Sequence, residues 1–297
     1  MLSYRHAFHA GNAADVVKHT VLAFCLDYLA KKETAFAYID THAGAGAYNL
    51  EEGYASQNRE WESGVSLVLK KFPGNAPLAG RPRDTDGGEN SPLMAPYLAC
   101  LKTGFGALRY PGSPLIAKGL LRKQDRAHCF ELHPADFAAL DHTLKGDTRF
   151  SVQCEDGLSA LKGLLPPPQK RGLIFIDPSY EIKDDYTKIP LVLEECLRRF
   201  PGGLYLLWFP LLRQDSPGAA ASRNLDLGLP GLDTKRRCIL SVQQKGDRLG
   251  RGLYGSALFI INPPWTLKAA LDRELPALAS LLGLDRDVRW EEHRVAK

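Results

Sequence analysis

Leu173-Ile174-Phe175-Ile176-Asp177-Pro178-Ser179-Tyr180 is the stretch whose reading decides the fold. A short, unbroken apolar run rich in β-branched residues reads as a strand buried on both faces, as in a parallel sheet. Asp-Pro then hangs at the strand's carboxyl end, the edge at which open α/β sheets bind ligands. The Asp177 carboxylate and the Pro178 carbonyl are two acceptors, suited to the two hydrogens of an exocyclic amino group on a flat heterocycle. Tyr180 adds a stacking face. The plain alternative is an ordinary strand-ending turn, since Asp-Pro commonly starts one.

Outward from this strand the pattern alternates. Asn12 caps a helix running to about Lys32, with Asp15 in its first turn and Val17, Val21, Phe24, Cys25, Tyr28 and Leu29 at helical spacing. Strands are expected at 36–40, 127–131, 149–154, 173–176, 204–209, 237–242 and 257–261, with helices between most of them, such as 114–123 and 189–199. This pattern predicts a Rossmann-like α/β fold: one seven-stranded, mostly parallel sheet, helices on both faces and an antiparallel addition at the end. The whole chain, 1–297, reads as one domain, with an inserted helical subdomain at 48–109 after the first strand. Within that insertion, helices at 60–72 and 94–102 flank a Pro/Gly/Asp-rich loop at 73–92.

Composition narrows the class. The 297 residues are 44% hydrophobic and 24% charged, so a sizeable core needs no staples. A net charge of +4 is compatible with a nucleic-acid partner without requiring one. The six cysteines form no C-x-x-C pair and lie mostly in apolar segments, as buried thiols of a reducing cytosol do. No histidine or cysteine spacing suggests a metal. The opening Met1-Leu2-Ser3-Tyr4-Arg5-His6 lacks a signal peptide's apolar core, and the longest apolar stretch, 204–212, is too short to span a bilayer. A cytoplasmic protein without a membrane or metal partner is expected, and a monomer is compatible with the chain.

A second turn completes the candidate site. Asp40-Thr41-His42-Ala43-Gly44-Ala45-Gly46 puts Gly44 and Gly46 beyond a strand-ending acid, where backbone approaches a ligand closely. Asn49 stands where a dinucleotide fingerprint needs its third glycine, and no P-loop pattern occurs. Glu131 ends the second predicted strand, placed to accept ribose hydroxyls, and Asp156-Gly157 ends the third, placed for a donor on adenine. Acids ending four successive strands suit S-adenosylmethionine, which carries no phosphate and a cationic sulfonium.

With these motifs the chain resembles the class I methyltransferases that act on amino groups, and more narrowly the bacterial RlmJ family. The resemblance spans nearly the whole chain. It rests on Met1 to His6 with Phe8-His9-Ala10-Gly11-Asn12, on Asp15 and Lys18-His19-Thr20, and on Asp40 to Gly46. It continues through Tyr110-Pro111-Gly112-Ser113-Pro114-Leu115-Ile116-Ala117, Glu131-Leu132-His133-Pro134, Asp156-Gly157, Asp177-Pro178 and Ile261-Asn262-Pro263-Pro264-Trp265. It implies methyl transfer from S-adenosylmethionine to N6 of adenine 2030 in 23S ribosomal RNA. It also implies that His19, His42, Ser113, Glu131, Asp156, Gly157 and Asp177 line the cofactor site, that Asp177 is catalytic, and that Tyr4 contacts RNA.

Ser179 stands where the family usually has a second proline, removing a fixed φ and placing loop rigidity in question. Asn262-Pro263-Pro264-Trp265 matches the amino-methylating motif more literally, but it follows a strand expected to run antiparallel and reads as structural. Lys170-Arg171, Lys235-Arg236-Arg237, Arg248 and Arg251 are candidate phosphate contacts or solvated surface. The competing functions are a DNA adenine-N6 methyltransferase and a non-catalytic RNA-binding module with a relic cofactor pocket.

Overall fold

A computed structural model describes residues 6–72, 92–103, 109–181, 184–228, 232, 234, 236–244 and 249–292. Tyr4, Lys235, Arg248 and the 73–91 part of the expected loop lie outside them.

Five strands run parallel: β1 (Ala37–Asp40), β4 (Arg126–Phe130), β5 (Phe150–Gln153), β6 (Gly172–Ile176) and β7 (Leu204–Leu212). β6 lies between β1 and β7 and is buried at every residue, which accounts for its unbroken apolar sequence. Antiparallel strands β8 (Arg236–Gln244), β9 (Leu253–Ile261) and β10 (Leu284–Glu292) extend the sheet beyond β7, in the order β10-β8-β9-β7-β6-β1-β4-β5. The sheet therefore has eight strands, one more than the sequence suggested. β10 escaped because it is a half-exposed edge strand carrying Asp285, Arg286, Asp287 and Arg289, and such charge reads as a polar tail.

Two apolar layers sandwich the sheet. On one face Tyr38, Phe175 and Leu206 pack with α1 (Ala13–Ala30), α5 (Ser113–Leu120) and α10 (Leu267–Leu281). On the other, Ile39, Ile174, Ile176 and Leu207 pack with α7 (Gly157–Leu164), α8 (Asp185–Arg199) and α9 (Ala219–Gly228). This alternation is the two-residue period of a strand buried from both sides. α6 (Pro134–Leu144) joins the first layer through Leu140 and Leu144.

Between β1 and β4 the chain leaves the sheet. β2 (Ala47–Asn49) pairs with β3 (Arg109–Pro111), and between them lie α2 (Ala55–Asn58), a 3-10 turn (Glu60–Ser63), α3 (Val65–Lys71) and α4 (Ala95–Thr103). The excursion is latched to the start of α1. Val65 N donates to the Gly11 carbonyl at 2.8 Å, and the Asn12 amide donates to Glu60 at 3.0 Å.

Length differences among the strands shape the functional edge. Ile176, the last residue of β6, pairs with Leu207, so β7 continues for Trp208 to Leu212 beyond it. Paired there with the start of β9, this overhang forms a wall above the carboxyl ends of the parallel strands.

Two expectations about the opposite edge resolve differently. β9 runs antiparallel to β7, so Asn262 emerges at the amino ends of the parallel strands. There its side-chain amide donates to the carbonyls of Pro201 (2.8 Å) and Gly203 (2.7 Å), a brace for the turn into β7. Arg171 also lies at that edge, where its guanidinium donates to the Leu29 carbonyl (3.0 Å) and to that of Thr34. Arg237 is likewise committed, to Glu291 (2.6 Å) and the Leu232 carbonyl (2.9 Å). Asn262 adopts φ 53°, so Asn262→Ala loses both hydrogen bonds and strains the backbone. Urea unfolding should show a loss of about 2 kcal/mol; an unchanged midpoint would remove the bracing role.

Candidate active site

Two cavities open along the carboxyl edge. The smaller, about 180 Å³, is lined by His19, His42, Gly44, Ser113, Glu131, Asp156, Gly157 and Asp177. These are all the residues the sequence associates with a cofactor except Gly46 and the strand-ending Asp40. Gly46 lies just beyond, its carbonyl accepting from Gly112 N at 2.8 Å and tying the glycine turn to the start of α5.

Each strand end contributes differently. Asp40 is fully buried behind the cavity wall and holds the Tyr38 hydroxyl (2.7 Å) and Ser113. Burial pushes its carboxyl up to about 7, against the opposing pull of those two hydroxyls. Glu131 accepts Gly44 N (2.8 Å) on one oxygen and His133 N (2.7 Å) on the other, locking the glycine turn to the end of β4. Gly44 has φ +61°, and a Cβ there would meet the Tyr48 hydroxyl at 2.2 Å. At Gly157 a Cβ would lie 2.4 Å from the Thr41 carbonyl, so the α7 start and the β1 turn approach this closely only with glycine. Asp156 caps α7 through Leu158 N (3.0 Å) and also takes Ser159 Oγ (2.8 Å) and Lys188 Nζ (2.7 Å). His42 is held neutral by burial, which draws it down to about 4.

The larger cavity, about 730 Å³, is bounded by the overhanging wall, with Trp208, Pro210, Val242 and Tyr254, and by His9, Asn12, Lys18 and Glu60. Pro178 and Tyr180 line it too. Tyr180 is 7% exposed, with its hydroxyl donated to the Trp208 carbonyl (3.0 Å) and its ring 4.5 Å from that of Tyr186. Ser179 gives its loop a side-chain tie in place of a proline ring: its hydroxyl accepts from Glu181 N at 3.4 Å. Among the described residues, His6, Asp177 and Ser179 alone line both cavities.

Asp177 thus stands at the junction. Its Oδ2 takes Lys18 Nζ at 2.6 Å, while Oδ1 has no hydrogen-bond partner among the described residues. Lys18, 3% exposed, also pairs with Asp15 (2.8 Å), which in turn holds His6 Nε2 (2.9 Å). The Lys18 ammonium lies 5.4 Å from the Trp208 ring centroid, within cation–π range. Burial alone pulls this ammonium down, but Asp15 and Asp177 outweigh it and raise it well above the usual lysine range. Burial likewise pushes the Asp15 carboxyl up, yet the charges of His6 and Lys18 hold it well below 3.8.

The partnership of Lys18 with Asp177 is the main feature sequence reasoning missed. A signal was present: Asp15, Lys18 and His19 form an i, i+3, i+4 polar stripe on a helix whose other residues are mostly apolar. The histidines near the start take separate partners: His6 takes Asp15, His9 takes Glu60 (2.9 Å) and His19 takes Tyr110 (2.7 Å).

A family model described as "Ribosomal RNA large subunit methyltransferase D, RlmJ" matches residues 93–292. The chain is 39% identical over 292 residues to the ribosomal RNA large subunit methyltransferase J of Haemophilus influenzae, covering 98% of this chain and 97% of that one. It is 40% identical over 286 residues to the Escherichia coli protein of that name, covering 95% and 94%. Protein LPL1258 from Legionella pneumophila, a crystal structure 32% identical, superposes with a TM-score of 0.77 over 96% of this chain and 98% of that one. The chain belongs to the ribosomal RNA large subunit methyltransferase J family.

Lys18→Met strips the buried carboxylates of Asp15 and Asp177 of their shared cation. Chemical denaturation at pH 7 should show a loss of about 3–5 kcal/mol. Because Asp15 is depressed in the fold, this stabilisation is complete above its unfolded value near 3.8 and fades as pH falls through the lower folded value. The gap between wild type and variant therefore narrows in acid, and again in strong alkali above the unfolded lysine value near 10.5, where the raised Lys18 ammonium is finally lost. A gap that widens below pH 4 would contradict the assignment.

Proposed function

We propose that this chain transfers a methyl group from S-adenosylmethionine to N6 of an adenine in 23S ribosomal RNA, adenine 2030 being the nucleotide the family resemblance implies. The observation that carries the reading is the position of Asp177, whose side chain faces both a cavity suited to the cofactor and a cavity suited to a base.

The donor set favours S-adenosylmethionine in the smaller cavity. Glu131 keeps lone pairs on both oxygens after serving Gly44 and His133, enough for two ribose hydroxyls. Asp156 is the acceptor for an adenine amino group, and Lys188, 42% exposed, is free to swing away from it. Among the described residues lining this cavity Lys188 is the one lysine or arginine, against the carboxylates of Glu131, Asp136, Glu155, Asp156, Asp177 and Asp185, a lining that favours a cationic sulfonium over a phosphate. By volume the larger cavity is the roomier vessel. It lacks Glu131, Asp156 and the glycine turn, however, and chemistry outranks size here.

S-adenosylmethionine supplies an electrophilic methyl group. The protein's task is to make a poorly nucleophilic amino nitrogen ready for it. Asp177 Oδ1 and the Pro178 carbonyl accept the two amino hydrogens, which favours a pyramidal nitrogen with an available lone pair. Lys18, holding Oδ2, fixes which oxygen faces the base, so the acceptor is positioned before substrate arrives. Asp177 or water takes the proton released after transfer, and positioning supplies much of the acceleration. A target adenine must leave its stack to enter, and Tyr180 and Trp208 offer it aromatic surface. Tyr4 is assigned to the RNA by the resemblance, and His6, close to it in sequence, lines both cavities.

Asp177→Ala should lower the rate of methyl transfer to a 23S ribosomal RNA fragment by about 100-fold or more. S-adenosylhomocysteine affinity should fall by about tenfold or less in the same variant. Wild-type turnover would remove Asp177 from catalysis. Mass spectrometry of ribosomal RNA from cells lacking the protein should reveal one missing N6-methyladenosine. An unchanged 23S profile, with transfer to duplex DNA in vitro, would favour the DNA methyltransferase reading.

A further inference from the structure

The ring of His19, in the smaller cavity, is tied into a chain of two buried hydroxyls. Its Nδ1 lies 2.7 Å from the Tyr110 hydroxyl, which lies 3.2 Å from the hydroxyl of Tyr97. All three side chains are buried: His19 on α1, Tyr110 on β3 and Tyr97 on α4. The His19 and Tyr110 rings stack with centroids 5.7 Å apart. Burial draws His19 down to about 3, so the ring is neutral at physiological pH and carries one proton.

The position of that proton follows from counting donors. If Nδ1 held it, His19 would donate to Tyr110 and Tyr110 to Tyr97. The Tyr97 hydroxyl hydrogen would then have no acceptor among the described residues, in a fully buried position. In the reverse direction every hydrogen is used: Tyr97 donates to Tyr110, and Tyr110 donates to Nδ1. Leaving one buried hydroxyl unsatisfied disfavours the first arrangement by about one to two orders of magnitude. The second leaves the proton on Nε2, which has no protein partner among the described residues.

We propose that Tyr110, backed by Tyr97, is a positioning residue that fixes His19 as the Nε2–H tautomer, giving the smaller cavity a neutral donor for the carboxylate of the cofactor's amino-acid end. This rests on the reading of that cavity as the S-adenosylmethionine site. Sheet order assigns the ends. Glu131 and Asp156 follow the outer strands β4 and β5 and take the adenosine, which leaves the amino-acid end on the side of β1, β6 and α1, where His19 lies. A neutral imidazole suits this place, because a cationic one would repel the sulfonium.

Nitrogen NMR of the ligand-free protein tests the tautomer directly. His19 should show an unprotonated, hydrogen-bonded Nδ1 and a protonated Nε2; the opposite pattern would overturn the proposal. Binding of two probes then tests the role. S-adenosylhomocysteine carries the carboxylate, and 5′-methylthioadenosine lacks the whole amino-acid end. Tyr110→Phe should weaken the first by about fivefold or more and leave the second within about twofold. Equal weakening of the two probes by Tyr110→Phe would mean a general disturbance of the cavity and would also overturn it. Failure of the wild type to bind either probe would instead overturn the functional reading, with the tautomer still decided by NMR.

Discussion

The ion pair between Lys18 and Asp177 joins the two halves of the functional edge. Lys18 comes from the first helix and Asp177 from the end of the central strand, 159 residues later, and their 2.6 Å contact is almost wholly removed from water. Burying a lysine is costly unless its charge is compensated twice over. Here Asp15 and Asp177 flank it on one side and the Trp208 ring on another. The arrangement spends one carboxylate oxygen of Asp177 on Lys18 and leaves the other without a partner among the described residues.

The rest of the fold can be understood as support for that junction. A central parallel strand buried on both faces brings Asp177 to the carboxyl edge. The glycine turn after β1, held by Glu131 and packed against Gly157, shapes the smaller cavity beside it. The longer antiparallel strands overhang the same edge and shape the larger cavity. The 60–65 segment is fastened to Gly11 and Asn12, which steadies the first turn of α1 and hence Asp15 and Lys18. Two cavities of different chemistry thereby share one acidic wall residue.

Much of this was legible because the decisive signals were local. The apolar run ending in Asp-Pro, the acids at strand ends and the glycine turn each lie within a few consecutive residues, and Asp177, Pro178, Glu131, Asp156 and Gly44 from them line the cavities, while Gly46 and Asp40 lie just behind. The Asn262 motif resembled the 177–180 motif in sequence, and strand direction separated them. What stayed hidden was non-local or weakly patterned. β10 is an edge strand whose charges obscure its alternation, and Arg171, legible as a phosphate contact or solvated surface, finds backbone carbonyls 137 and 142 residues away as partners. The stripe of Asp15, Lys18 and His19 was readable as polar, but nothing local names Asp177 or Tyr110 as its partners.

The most direct measurement is a crystal structure of the protein with S-adenosylhomocysteine and adenosine monophosphate together. The thioether should lie in the smaller cavity, with its adenosine on Glu131 and Asp156, and the second purine in the larger cavity with its amino group on Asp177. A purine seated away from the 177–180 loop, or S-adenosylhomocysteine in the larger cavity, would contradict this placement.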